Sequence, residues 1–168
     1  MTLYLEPISV KEKELLIIAE ERNKTLISLR SYKATPVSFN HQRKWVAGIL
    51  EGDDRYFFIY QNKQFVGYCG LDKIHPVNRT AEINLMVIES ARHKKFGKLT
   101  IKNLLQTGFE ELYLNCIFGE VYNTTNSWEF WKKCGFKMEG ILKERKYWHG
   151  EFYSSVMFSL TADQWRKL

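Results

Sequence analysis

The chain has 168 residues, 45% of them hydrophobic, which is enough for one well-filled core and too few for two ordinary domains of ~100–150 residues. Glu6 and Pro7 stand where a secretory signal would need a basic start and an apolar run, and no stretch approaches the ~18 apolar residues of a membrane span; a single cytoplasmic domain over 1–168, with no membrane partner, is expected. The net charge of +6 favours an anionic contact such as a phosphorylated small molecule, a cofactor or nucleic acid, while Cys69, Cys116 and Cys134 have neither disulfide nor zinc spacing, so no metal is expected.

Tyr4, Leu5 and Ile8 predict a short first strand ending near Pro7, followed by a helix over Val10–Arg22 with Leu15, Leu16, Ile18 and Ala19 at helical spacing. A second helix carries Trp45, Val46, Ile49 and Leu50, capped by Asn40 and stopped by Gly52. Three strands come next: Arg55–Tyr60, then Gln64–Ile74 after an Asn62-Lys63 turn, then Thr80–Ile88. Past Gly97 the period turns helical through Ile101, Leu104, Leu105, Gly108 and Phe109 to about Glu111. A strand over Cys116–Tyr122 leads to a short helix, Asn126–Cys134, where Asn126 and Glu129 fit a capping box. Strands over Lys137–Lys146 and Glu151–Leu160 end the chain. This order indicates an α/β or α+β domain with one mixed sheet.

The passage from the third meander strand into the following helix is the most informative. Arg92, His93, Lys94, Lys95 and Lys98 crowd around Gly97 at a helix start, where unpaired backbone N–H groups and the positive end of the helix dipole suit a pyrophosphate. The alternative is a solvated basic face. Arg92-x-x-Lys95-x-Gly97 resembles the acetyl-CoA loop of the GNAT superfamily, R/Q-x-x-G-x-G/A, with Lys95 in place of the first glycine. Asn126-Ser127 through Lys133, Gly135 and Phe136 is similar to that family's N-x-x-A/S-x-x-x-Y-x-K-x-G-F run, with Thr124 at the strict asparagine position and Trp131 at the tyrosine.

The resemblance implies a single-domain GNAT-like fold, a central mixed and mostly antiparallel sheet flanked by helices, and acetyl-CoA as co-substrate. It implies that the backbone of Leu85, Met86 and Val87 pairs with the pantetheine arm. The turn from Arg92 through Lys95, Phe96, Gly97 and Lys98 would hold the pyrophosphate, and Asn123, Asn126 and Lys133 would contact the rest of the cofactor. Tryptophan has no acidic proton for the departing thiolate, so Trp131 is not a general acid, and core packing is its other reading. The ending, Gly135 to Trp165, is similar to the branch with ribosomal-protein N-terminal and nucleotide-sugar N-acetyltransferases, where the last strand carries Y-x-D and this chain has Tyr153-Ser-Ser155.

Transfer to an amine requires a neutral nucleophile and a proton path. Strand alternation puts Glu82 and Asn84 on one face beside the cofactor segment, which makes Glu82 the candidate base and Asn84 its neighbour; the competing reading of Glu82 is a structural pair with Arg or Lys. The favoured acceptor is a primary amine on a small molecule, foremost an anionic one such as a nucleotide-linked amino sugar. A protein N-terminus is the alternative, and a nucleic-acid module built on Arg22, Arg30, Lys33, Arg43 and Lys44 ranks last. A homodimer is left open.

Overall fold

Along Arg55–Gln61 every second side chain turns to the same face: Tyr56, Phe58 and Tyr60 join one apolar cluster, and Phe57 and Ile59 join another. That alternation divides the molecule into two layers of packing on either side of one sheet. The computed structural model describes residues 3–24, 36–92, 96–122, 127–148 and 150–168. Its strands are β1 (Leu3–Pro7), β2 (Arg55–Gln61), β3 (Gln64–His75), β4 (Thr80–Val87), β5 (Cys116–Tyr122), β6 (Lys137–Trp148) and β7 (Glu151–Thr161). They form one sheet in the order β1-β2-β3-β4-β5-β7-β6, antiparallel except for the β4–β5 pair.

The helices are α1 (Glu12–Asn23), α2 (Phe39–Glu51), α3 (Phe96–Gln106), α4 (Ser127–Lys133) and α5 (Ala162–Trp165). On one face of the sheet Leu15 and Ile18 of α1 and Val46 and Ile49 of α2 pack on Tyr56, Phe58, Tyr60 and Met86. On the other, Ile101, Leu104 and Leu105 of α3 and Trp131 of α4 pack on Leu71, Ile83, Ile117 and Phe158. The expected mixed, mostly antiparallel sheet flanked by helices is the observed architecture, and Cys116–Tyr122 keeps its expected bounds. The three cysteines are free, with Cys69 and Cys134 buried; burial pushes the Cys134 thiol up to about 11.

Two local expectations change. The cap of α2 is Ser38, not Asn40: its hydroxyl accepts from the His41 amide while the His41 ring accepts from the Ser38 amide, a reciprocal capping box. The helix after Gly97 widens into a π-helical turn over Thr107–Glu111. Gly108 lies there with Ile117 and Leu71 against it, where a Cβ would meet Ile117 Cδ1 at 2.5 Å. Asn126, the expected cap of α4, lies outside the described residues.

Candidate active site

The parallel pairing of β4 with β5 covers only Thr80–Glu82 against Cys116–Phe118. β4 stays paired with β3 as far as Val87, and β5 with β7 as far as Tyr122. The two strands therefore part beyond Glu82 and Phe118, and each leaves a row of backbone groups facing a gap. The Ile88 amide donates to the Val66 carbonyl at 3.0 Å. Antiparallel ladders alternate their hydrogen bonds, so Met86 and Asn84 also turn their amides toward β3, while Leu85 and Val87 turn theirs into the gap. A strand edge of this kind pairs with an extended chain that carries amides of its own.

The end of β4 feeds one 3₁₀ turn, Glu89–Ala91, and then Arg92. Arg92 is held by the protein itself. Its Nε donates to the Val87 carbonyl at 3.3 Å, and its guanidinium stands 3.7 Å from the Glu21 carboxylate. Glu21, 5% exposed, also accepts from the Glu89 amide at 3.0 Å and from Lys24 Nζ at 2.6 Å. One buried carboxylate on α1 thus ties down the start of the strand-to-helix turn. Glu21→Ala leaves these donors unpaired and should cost about 1–3 kcal/mol of stability, read from denaturant unfolding; Glu21→Gln, which keeps an acceptor for the Glu89 amide, should cost less.

Lys95, Asn123 and Asn126 lie outside the described residues. α3 begins at Phe96, whose ring is buried in the core, so this residue offers the turn only its backbone. Gly97 faces Phe130 of α4, and a Cβ there would meet Phe130 Cε2 at 3.1 Å. Lys98 and Lys133 line a groove of about 670 Å³ between α3, α4 and the C-terminus, together with Lys102 and Lys132, over an apolar floor that includes Leu99, Leu105 and Trp165. Anionic groups of an extended ligand lying over α3 would meet this set of ammonium heads.

The α1–α2 face of the sheet differs in charge. Asp72 and Glu82 are cross-strand partners, and Gly70 pairs with Asn84. The Tyr56 ring lies over Gly70, where a Cβ would come within 2.3 Å of it. Trp45 packs edge-on to Tyr56, with centroids 5.3 Å apart, and tilted on Tyr68 at 5.2 Å. Glu82 is 8% exposed and paired with Lys73 Nζ at 2.6 Å. Lys73 stands at a register shift of β3 with φ 51°.

Asp72 accepts from the Tyr56 hydroxyl at 2.7 Å. Burial raises its pKa, opposed by that hydroxyl and reinforced by the Glu82 and Asp54 carboxylates. Its other oxygen, Oδ1, and Asn84 Nδ2 are buried without a hydrogen-bond partner. Because Glu82 pairs with Phe118, Phe118, Glu120 and Tyr122 of β5 share this face across the gap. Ser155, at the position where the resembling branch carries its acid, donates to Glu120 Oε1 at 2.5 Å.

Of the sequence-predicted residues, Asn84, Leu85 and Val87 come together at the gap with Glu82 at its closed end, whereas Met86 turns its backbone to β3 and its side chain into the α1–α2 cluster. Asp72 and Glu120 were not singled out by the sequence; strand alternation assigns them to a face only once the β3–β4 and β4–β5 registers are known. Trp131 is core, 6% exposed and stacked on Phe158 at 4.9 Å. Phe39 and Trp45 pack against the α1–α2 cluster. Among the described residues no group of three or more His, Cys, Asp or Glu side chains is placed to hold a metal, and no described helix is long and apolar enough to cross a membrane.

The model of the acetyltransferase (GNAT) family matches residues 17–136. The chain belongs to this family. It is 30% identical over 131 residues to the SPbeta prophage-derived uncharacterized N-acetyltransferase YokL of Bacillus subtilis (strain 168), covering 77% of this chain and 74% of that protein. It is 30% identical over 114 residues to the uncharacterized N-acetyltransferase p20 of Bacillus licheniformis, covering 66% of this chain and 64% of that one. The spermidine N-acetyltransferase of Vibrio cholerae, solved in complex with CoA and spermine, shares the fold with a TM-score of 0.85 at 21% identity, over 98% of both chains. A dodecameric structure of that enzyme superposes with a TM-score of 0.81 at 20% identity, over 97% of this chain and 95% of that one. The chain is therefore an acetyl-CoA-dependent N-acetyltransferase. None of these relatives is named as a ribosomal-protein or nucleotide-sugar enzyme, so the similarity carries the family and not that branch.

Proposed function

We propose that the chain transfers the acetyl group of acetyl-CoA to a small cationic primary amine, with the cofactor lying in the gap between β4 and β5 and the amine approaching from the α1–α2 face. The divergence of β4 from β5 beside the start of α3 is the observation that carries this reading. In it, the amides of Leu85 and Val87 pair with the pantetheine arm, the first amides of α3 at Phe96, Gly97 and Lys98 meet the pyrophosphate, and Lys98 and Lys133 meet the remaining phosphate.

Charge is the argument for a cationic acceptor. The basic groove lies on the α3–α4 side, whereas the opposite face carries Asp72, Glu82 and Glu120 beside the Trp45, Tyr56 and Tyr68 rings. Carboxylates and aromatic faces suit an ammonium; a nucleotide-linked sugar would bring phosphates to the acidic side. The spermine bound by the Vibrio enzyme is a small cation of this class.

Calorimetry should give CoA and acetyl-CoA affinities within the ~1 μM–1 mM range common for enzyme substrates, and thiol release should be faster with polyamines and short diamines than with amino-sugar nucleotides or peptides. Gly97→Pro gives the sharper result. Residue 97 lies in the first turn of α3, where proline is tolerated by the helix but removes an N–H. The variant should fold and lose at least about tenfold in CoA affinity, as expected for a lost charge-assisted bond, while Gly97→Ala, which keeps the N–H, should lose far less. Equal affinity in all three proteins would move the cofactor off this turn.

A further inference from the structure

We propose that Glu120 is the catalytic base that takes the proton from the acceptor amine, and that Ser155 is its positioning residue. The proposal rests on the transferase reading above.

An amine of ordinary basicity arrives as an ammonium ion and has no lone pair to attack with. One proton must leave before the N–C bond forms. A second leaves nitrogen as that bond forms and the C–S bond breaks, and the departing thiolate takes up one, so each turnover releases one net proton. A carboxylate with an uncommitted oxygen beside the reacting carbon meets the first requirement.

Asp72, Glu82 and Glu120 lie on the acceptor face near the gap, and their surroundings differ; Glu139 of β6, two strands farther from the gap, is held by Ser159. Asp72 is on β3, one strand away from the gap, and accepts from Tyr56. Glu82 is at the closed end, where β4 and β5 are still paired, and the Lys73 ammonium at 2.6 Å already balances its charge. Glu120 is two residues past Phe118, the last β5 residue paired with β4, and so is the first side chain of this face to flank the open part of the gap. It is half-buried. Ser155 is 1% exposed, and its hydroxyl spends its proton on Glu120 Oε1 at 2.5 Å. Among the described residues Oε2 has no hydrogen-bond partner. A buried donor that fixes one oxygen and leaves the other unengaged is what a base on a strand edge requires.

The test compares Glu120→Gln, Glu82→Gln and Ser155→Ala by pH-dependent turnover, with whichever panel amine the unmodified protein acetylates fastest, and by CoA calorimetry. Glu120→Gln should lower kcat near pH 7 by ~10²–10⁴-fold with unchanged CoA affinity. The loss should shrink as the pH approaches the amine's own pKa, because more of the amine then arrives neutral. Ser155→Ala should shift the acidic limb of the kcat/KM profile with a smaller loss of rate, and Ser155→Thr, which keeps the hydroxyl, should restore the limb. A folded Glu120→Gln protein with the unmodified rate at every pH overturns the assignment, as does a larger loss in Glu82→Gln. If Glu120→Gln does not fold, an unmoved acidic limb in Ser155→Ala overturns it. Absence of CoA binding in the unmodified protein would overturn the transferase reading instead, which keeps the two failures distinct.

Discussion

Trp131→Ala is expected to melt ~6–20 °C below the unmodified protein, the largest loss of stability that any single substitution in α4 should produce. The ring is 6% exposed. It stacks on Phe158 with an interplanar angle of 26°, and meets Phe136 edge-on at 5.5 Å and Phe130 at 5.3 Å. Removing a core tryptophan forfeits the transfer free energy of its atoms and leaves a cavity that the neighbours fill only partly, at ~3–5 kcal/mol. A domain of this size loses ~2–4 °C per kcal/mol, and the two ranges together give the expected drop.

The same geometry speaks to mechanism. Many members of the resembling family place a tyrosine at this position to protonate the thiolate, so Trp131→Tyr tests whether the position is chemical or structural. The phenol would lie among Phe130, Phe136 and Phe158, where its hydroxyl gains no partner and costs desolvation. Turnover in Trp131→Tyr should therefore be no higher than in the unmodified chain, with a melting temperature between it and Trp131→Ala. A variant that melts like the parent but loses turnover would mean that the indole touches substrate after all.

What the sequence made legible follows from how local each signal is. Strand alternation needs only one segment, and it correctly put Glu82 and Asn84 on one face of β4 and Ile83, Leu85 and Val87 on the other. Turn and helix chemistry is nearly as local, and gave α4 and the β2–β3 turn to within a residue or two. The cap of α2 was missed because its reciprocal partner is His41, not the Glu or Gln that usually marks a capping box.

Nonlocal features stayed hidden. The length of the β4–β5 pairing joins segments with all of α3 between them, and no pattern within either strand says that the ladder stops at Phe118. Lys73 reaches Glu82 only because β3 breaks register there with a left-handed residue, so periodicity could name a cationic partner for Glu82 but not identify it. Arg92 reads as a phosphate ligand when its neighbours in sequence are lysines. The carboxylate that engages it comes from α1, 71 positions earlier in the chain.

Asp72→Asn should raise the KM of a cationic acceptor by ~10–100-fold, the equivalent of a lost hydrogen bond to a charged group, while leaving CoA affinity unchanged and making the protein more stable at neutral and alkaline pH. The opposed effects have one cause. Burial, helped by Glu82 and Asp54, holds the Asp72 pKa above its ordinary value, so the folded state binds this proton more tightly than the unfolded state does. The contribution of Asp72 to stability is then fully present below its unfolded pKa and is lost as the pH rises through the folded one.

Asparagine does not titrate and can still accept from Tyr56. Its advantage in melting temperature should be absent in acid, grow as the pH rises above the unfolded pKa of Asp72 and be complete above the folded one. The acceptor reverses the balance: an ammonium beside the unpartnered Oδ1 adds to the favourable charge that Lys73 already provides, so saturating cationic amine should raise the melting temperature of the unmodified protein and leave that of Asp72→Asn nearly unmoved. Thermal melts at two pH values, with and without spermidine, measure the stability effects, and steady-state kinetics with CoA calorimetry measures the KM and the cofactor affinity. Equal spermidine-induced shifts in both proteins would mean that the amine binds away from Asp72, and that its strained carboxylate serves some purpose other than acceptor recognition.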